Sequence, residues 1–146
     1  MNELTAKKSA VRFLKCLSHG EKPKNGSYDY TVLPNVTEES LNKYSKNPTL
    51  KTLSNNCETQ AVYNEITNDL MAVFWKSGTI TMPNGKTLTV NDKCVVVCEA
   101  NENGYDVYIS NPQQNKKTIK IELEGKTQKV SFSKGIEAGK AIHLTF

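Results

Sequence analysis

The chain has 146 residues, 37% of them hydrophobic, enough for one ordinary domain with its own core, or one domain plus a piece of another. No run approaches the roughly 20 apolar residues of a membrane span, and the opening MNELTAKKSAV lacks the apolar segment of a signal peptide, so no membrane partner is expected. Lysine and arginine total 19 against a net charge of +4, yet Arg12 is the single arginine. Bidentate reading of phosphates and base edges is mainly arginine work, so no nucleic-acid partner is expected and the lysines read as a solvated coat.

Residues Val11 to Leu17 alternate as a strand with a mostly apolar face. SHGEKPKNGS, residues 18–27, collects Gly20, Pro23 and Asn25-Gly26 and reads as a loop that returns the chain into a second strand, Tyr28 to Leu33. The two together predict a β-hairpin. The period then changes: Thr37 is placed to cap a short helix, with Glu38 and Glu39 in its first turn, Lys43 and Lys46 near its end, and Val36 and Leu41 spaced for a hydrophobic staple. Asn47-Pro48 stops it. A boundary falls near residues 47–52, dividing the chain into 1–50 and 51–146.

From there the chain is an uninterrupted β series. Leu50 to Ser54 and Thr59 to Asn64 lead to Leu70-Met71-Ala72-Val73-Phe74-Trp75, apolar on both sides and therefore expected to be a central strand with Trp75 in the core. Thr79 to Met82 and Lys86 to Val90 flank the turn Pro83-Asn84-Gly85. Lys93 to Ala100 contains CVVVC and is a second central strand. Asn103-Gly104 turns it into Tyr105 to Ser110; then come Lys117 to Leu123, a turn at Gly125, Thr127 to Phe132, and a last strand with Ile142, Leu144 and Phe146 on one side and His143 on the wet one. Short strands at this spacing predict an all-β antiparallel sandwich, preceded by the hairpin and the short helix.

The inventory of reactive groups is thin. Cys16, Cys57, Cys94 and Cys98 form no CxxC and no Cys/His spacing suited to zinc, so no metal is expected. Cys94 and Cys98 fall on one side of a strand more than about 10 Å apart, too far to bridge, and read as buried small hydrophobes. No GxSxG, HExxH or P-loop occurs, no catalytic residue can be named and no cofactor is implied. His143 reads as an outward strand residue. His19, beside Gly20 in a lysine-rich loop, reads either as a turn-fixing histidine or, with Lys22 and Lys24, as a contact to an acidic sugar. Tyr108, on the polar side of its strand, is the aromatic best placed to stack on a sugar ring.

LSHGEKPKNGSYDYTVLPN, followed by LSNNCETQAVYNE and LMAVFWKSGTI, resembles the C-terminal part of family 8 polysaccharide lyases, the chondroitin AC, hyaluronate and xanthan lyases. The likeness is carried by His19, Gly20, Pro23, Tyr28, Tyr30 and Pro34, taken with Asn55, Gln60-Ala61-Val62 and Phe74-Trp75, and covers about residues 13–123. It implies that residues 1–50 close a large central sandwich and that 51–146 form a small terminal one. It also implies β-elimination beside a uronic acid, carried out by groups of a helical domain that no part of this chain matches. The implied partners are an acidic polysaccharide, the catalytic domain of the same protein, and a second copy at the exposed edges of the hairpin; the implied location is secreted or periplasmic, in a bacterium. A carbohydrate-binding module working alone is the other reading.

Overall fold

The computed structural model describes residues 18–115 and 117–146. The chain divides into two compact units, Met1–Tyr30 and Thr31–Phe146. The expected strand Val11 to Leu17 lies outside the described residues. In its expected partner, Tyr28 to Leu33, the side chains of Tyr28, Tyr30 and Val32 are well exposed.

In the second unit, helix α1 (Glu38–Lys46) begins where expected. Thr37 is extended and its hydroxyl accepts the Ser40 N–H at 3.2 Å, with Glu38 and Glu39 at the positive end and Lys43 and Lys46 at the negative end. Val36 and Leu41 stay exposed, so no sealed staple forms.

Ten strands follow: β1 (Leu50–Asn55), β2 (Thr59–Asn64), β3 (Asp69–Phe74), β4 (Gly78–Thr81), β5 (Thr87–Val90), β6 (Cys94–Asn101), β7 (Gly104–Ser110), β8 (Lys117–Leu123), β9 (Lys126–Phe132) and β10 (Ile142–Thr145). They form a six-stranded sheet, β1-β2-β3-β6-β7-β10, and a four-stranded sheet, β4-β5-β8-β9. Every described pairing is antiparallel, because each hairpin is completed before the chain crosses to the other sheet.

The core lies between the sheets. One side supplies Tyr63, Leu70, Phe74, Val96, Val107 and Ile109, the other Leu88, Val90, Ile119, Ile121 and Leu123, all nearly sealed from water. Cys94 and Cys98 are free and buried among them as expected, and loss of water pushes both thiols up to about 12.

Asparagines fasten the crossings. Asn91 accepts the Lys120 N–H at 2.7 Å, tying the exit from β5 to β8. Asn111 is fully buried after β7, and its amide nitrogen donates to the Asn115 carbonyl at 3.0 Å while its oxygen accepts the Gln113 N–H at 3.0 Å. A buried amide satisfied at both ends costs little.

Trp75 corrects an expectation. It lies in the bend just past β3, on the side opposite Phe74, and is 49% exposed, with its indole N–H donated to Gln60 Oε1 at 2.6 Å. The indole has only an outer surface to lie on, because Leu70, Ala72 and Phe74 take the inner one.

Gly104 permits the closest backbone approach. Its φ is +144°, and a Cβ there would stand 2.0 Å from the Phe146 carbonyl oxygen, beside the bonds that hold Phe146 to Tyr105. Gly104→Ala is expected to lower stability by about 1–3 kcal/mol in denaturant melts, through strain and loss of the β10 docking. Peptide mapping after alkylation of the native chain near neutral pH should find Cys57 modified and Cys94 and Cys98 protected, since thiolates do the reacting.

Candidate functional site

The two outer faces of the sandwich differ in chemistry. On the four-stranded sheet the outward residues are threonine, serine, lysine and glutamate; the Thr79 and Thr89 hydroxyls meet at 2.9 Å, and those of Thr118 and Ser131 at 3.0 Å. That face is solvated.

The six-stranded sheet presents an apolar face instead. Register aligns Val62, Met71, Val97, Tyr108 and His143 in one row across five strands, and Gln60, Val73, Val95 and Ser110 in the row beside it. Met71 is 45% and Tyr108 37% exposed, the four valines are half-buried among their neighbours, and Trp75 extends the strip past the end of β3. The next row toward the β6–β7 turn is acidic, with Glu99 opposite Asp106.

Polar chemistry gathers at the β10 end. The His143 ring stacks on Tyr108 with centroids 4.9 Å apart and planes at 21°, and its Nε2 lies 2.6 Å from Asp106 Oδ1. Asp106 also accepts from the Asn101 amide at 2.8 Å. The bond from His143, then that from Asn101, hold its carboxyl below the usual carboxylate range. Tyr108 is therefore an exposed aromatic as expected, but with one ring face already taken. The pairing of His143 with Asp106 was not legible from spacing, because 37 residues separate them in the chain. Among the described residues, no group of three histidine, cysteine or carboxylate side chains is placed to hold a metal ion.

The other expected sugar contacts lie in the first unit. His19 packs beside Tyr28 at 6.2 Å, Tyr28 and Tyr30 stack at 6.4 Å, and a Cβ on Gly26 would come within 3.0 Å of the His19 ring. The histidine is thus lodged against its own loop. Lys22, with φ +53°, and Lys24 are exposed on the same loop.

Two antiparallel sheets, one with a solvated outer face and one with an apolar outer face, define a β-sandwich domain whose larger sheet is suited to contact. Residues 51–120 match the model of the polysaccharide lyase family 8 C-terminal β-sandwich domain. Over those residues the chain is a family 8 C-terminal β-sandwich, and its similarity to proteins of that family extends beyond them.

Chondroitinase-AC of Pedobacter heparinus is 27% identical over 88% of this chain, xanthan lyase of a Bacillus species 30% over 82%, and hyaluronate lyase HylB of Enterococcus faecalis 30% over 73%. The chain spans 19%, 13% and 10% of their respective lengths. The solved structure of a chondroitinase AC lyase with bound oligosaccharide superimposes with a TM-score of 0.64 at 26% identity, over 75% of this chain and 17% of that one.

Asp106 gives a pH signature. Its folded pKa is depressed, so its contribution is present above the ordinary carboxylate pKa and is lost as pH falls through the folded value. Melts of the native chain and Asp106→Asn should differ at mildly acidic pH and converge in stronger acid; a constant gap across that range would contradict the assignment.

Proposed function

We propose that the chain is the non-catalytic C-terminal portion of a bacterial polysaccharide lyase that cleaves an acidic glycan of the chondroitin, hyaluronan or xanthan kind by β-elimination, and that it buttresses the catalytic part. One observation carries this reading: the larger sheet turns Val62, Met71, Val97, Tyr108 and Trp75 outward while the smaller sheet turns threonines outward. A contiguous apolar face on a small domain is expensive to keep in water and marks a contact surface.

The occupant in this reading is another part of the same enzyme, apolar at its centre and basic where it meets Glu99 and Asp106. Residues 1–50 close its central sandwich and 51–146 are its terminal domain. That this chain spans no more than 19% of the length of these matched relatives supports the assignment. The same proposal takes the enzyme to be secreted or periplasmic, lets His19, Lys22, Lys24 and Tyr108 touch the polymer, and pairs the edges of segment 11–33 with a second copy.

Two measurements test it. The purified chain mixed with chondroitin sulfate, hyaluronan or xanthan should give no rise in ultraviolet absorbance from unsaturated product; a rise would overturn the non-catalytic reading. Met71→Lys with Val97→Thr, both outward, should lower the stability of the isolated chain by no more than about 1 kcal/mol. In the longer enzyme the same pair should lower the thermal midpoint by several degrees, and an unchanged enzyme would remove the buttress. If instead the isolated chain binds those polymers saturably and loses binding with Tyr108→Ala, it is a carbohydrate-binding module in its own right.

A further inference from the structure

At the end of the sandwich where the turns after β2, β4, β6 and β8 converge, a cleft of about 540 Å³ opens between the sheets. Its base is apolar and buried: Tyr105, Leu123 and Phe146. Two polar contacts hold that base rigid across the sheets. The Asn84 amide donates to the Tyr105 hydroxyl at 2.9 Å, and the Lys86 ammonium sits 4.9 Å over the Tyr105 ring while pairing with Glu124 at 3.1 Å.

Local structure does not account for the rest of the lining. Asn101 is occupied in its own turn, accepting the Asn103 N–H, and in holding Asp106. The side chains of Glu102, Asn103 and Lys126, also in the lining, have no partner among the described residues. A carboxylate, a primary amide and an ammonium thus remain unused around a pocket of ligand-binding size.

The combination selects its ligand. The polar rim does not suit an apolar molecule. A dianionic phosphate would meet Glu102 and Glu124 as well as the lysines. A sugar ring suits it, since hydroxyls both donate and accept and can satisfy Glu102 and Asn103 together, while a single carboxylate on that sugar pairs with Lys126.

We propose that this cleft is a binding subsite for a uronate-bearing oligosaccharide of two or three sugars, separate from the apolar face of the larger sheet. It rests on the glycan-lyase reading only for the choice of polymer.

The test is a titration of the ¹⁵N-labelled 146-residue chain with a hyaluronan tetrasaccharide, followed in amide correlation spectra. Saturable shifts are expected for residues 84–86, 101–105 and 124–126. Lys126→Gln combined with Asn103→Ala, both exposed, should weaken binding at least tenfold with an unchanged thermal midpoint. Shifts confined to Lys22, Lys24 or Tyr108 with none around the cleft, or binding untouched by the double variant, would overturn the proposal. Equal binding of neutral maltotriose would remove the uronate assignment, and the same shifts from inorganic sulfate alone would remove the sugar. None of these outcomes bears on the buttress, whose test is the stability of the longer enzyme.

Discussion

The structure depends on β3 being held on both sides, by β2 and by β6, while one of its faces is sealed against the second sheet. Leu70, Ala72 and Phe74 meet the smaller sheet, and register carries the same inward alternation through Cys98, Val96 and Cys94 of β6 into Val107 and Ile109 of β7. A one-residue slip in any of these ladders would turn a row of core residues to the outside. The crossings made by Asn91 and Asn111 and the close approach at Gly104 keep hairpins from the two sheets facing each other, so the core is a single cluster.

The same register that builds the core makes the two outer faces unlike. Period-two alternation requires that whatever lies between core residues points outward. In β8 and β9 those residues are Thr118, Lys120, Glu122, Thr127, Lys129 and Ser131, which water satisfies; in β3 and β6 they are Met71, Val73, Val95 and Val97, which it does not. Residues 51–120 match a domain whose relatives are far longer than this chain, and under the proposed buttress role the apolar face is stabilised when another surface covers it. The polar cleft between the sheets and the apolar strip on the larger sheet lie on different parts of the domain and draw on different chemistry.

Much of this was legible in the chain. Strand positions from Leu50 onward, the Thr37 cap, the turns at Pro83-Asn84-Gly85 and Asn103-Gly104 and the burial of Cys94 and Cys98 follow from short-range patterns, which act within one element and survive folding. The family was legible too, because its motifs are runs of neighbouring residues. Trp75 was misjudged because a run apolar on both sides looks the same whether both faces are covered within the domain or one of them faces outward. The apolar face itself was visible as LMAVFW and CVVVC, but as a property of single strands rather than of a surface.

Sequence by itself determined the all-β class, the order and phase of the strands, the lineage and the scarcity of catalytic groups, since each rests on residues adjacent in the chain. Only the tertiary structure decided which strands share a sheet, which outer face stays apolar, that His143 meets Asp106 and Tyr108 across 37 and 35 positions, and that four turns close around one cleft. Those are facts of register and crossover, set by how separate hairpins bury their inner faces against one another, and no local pattern encodes them.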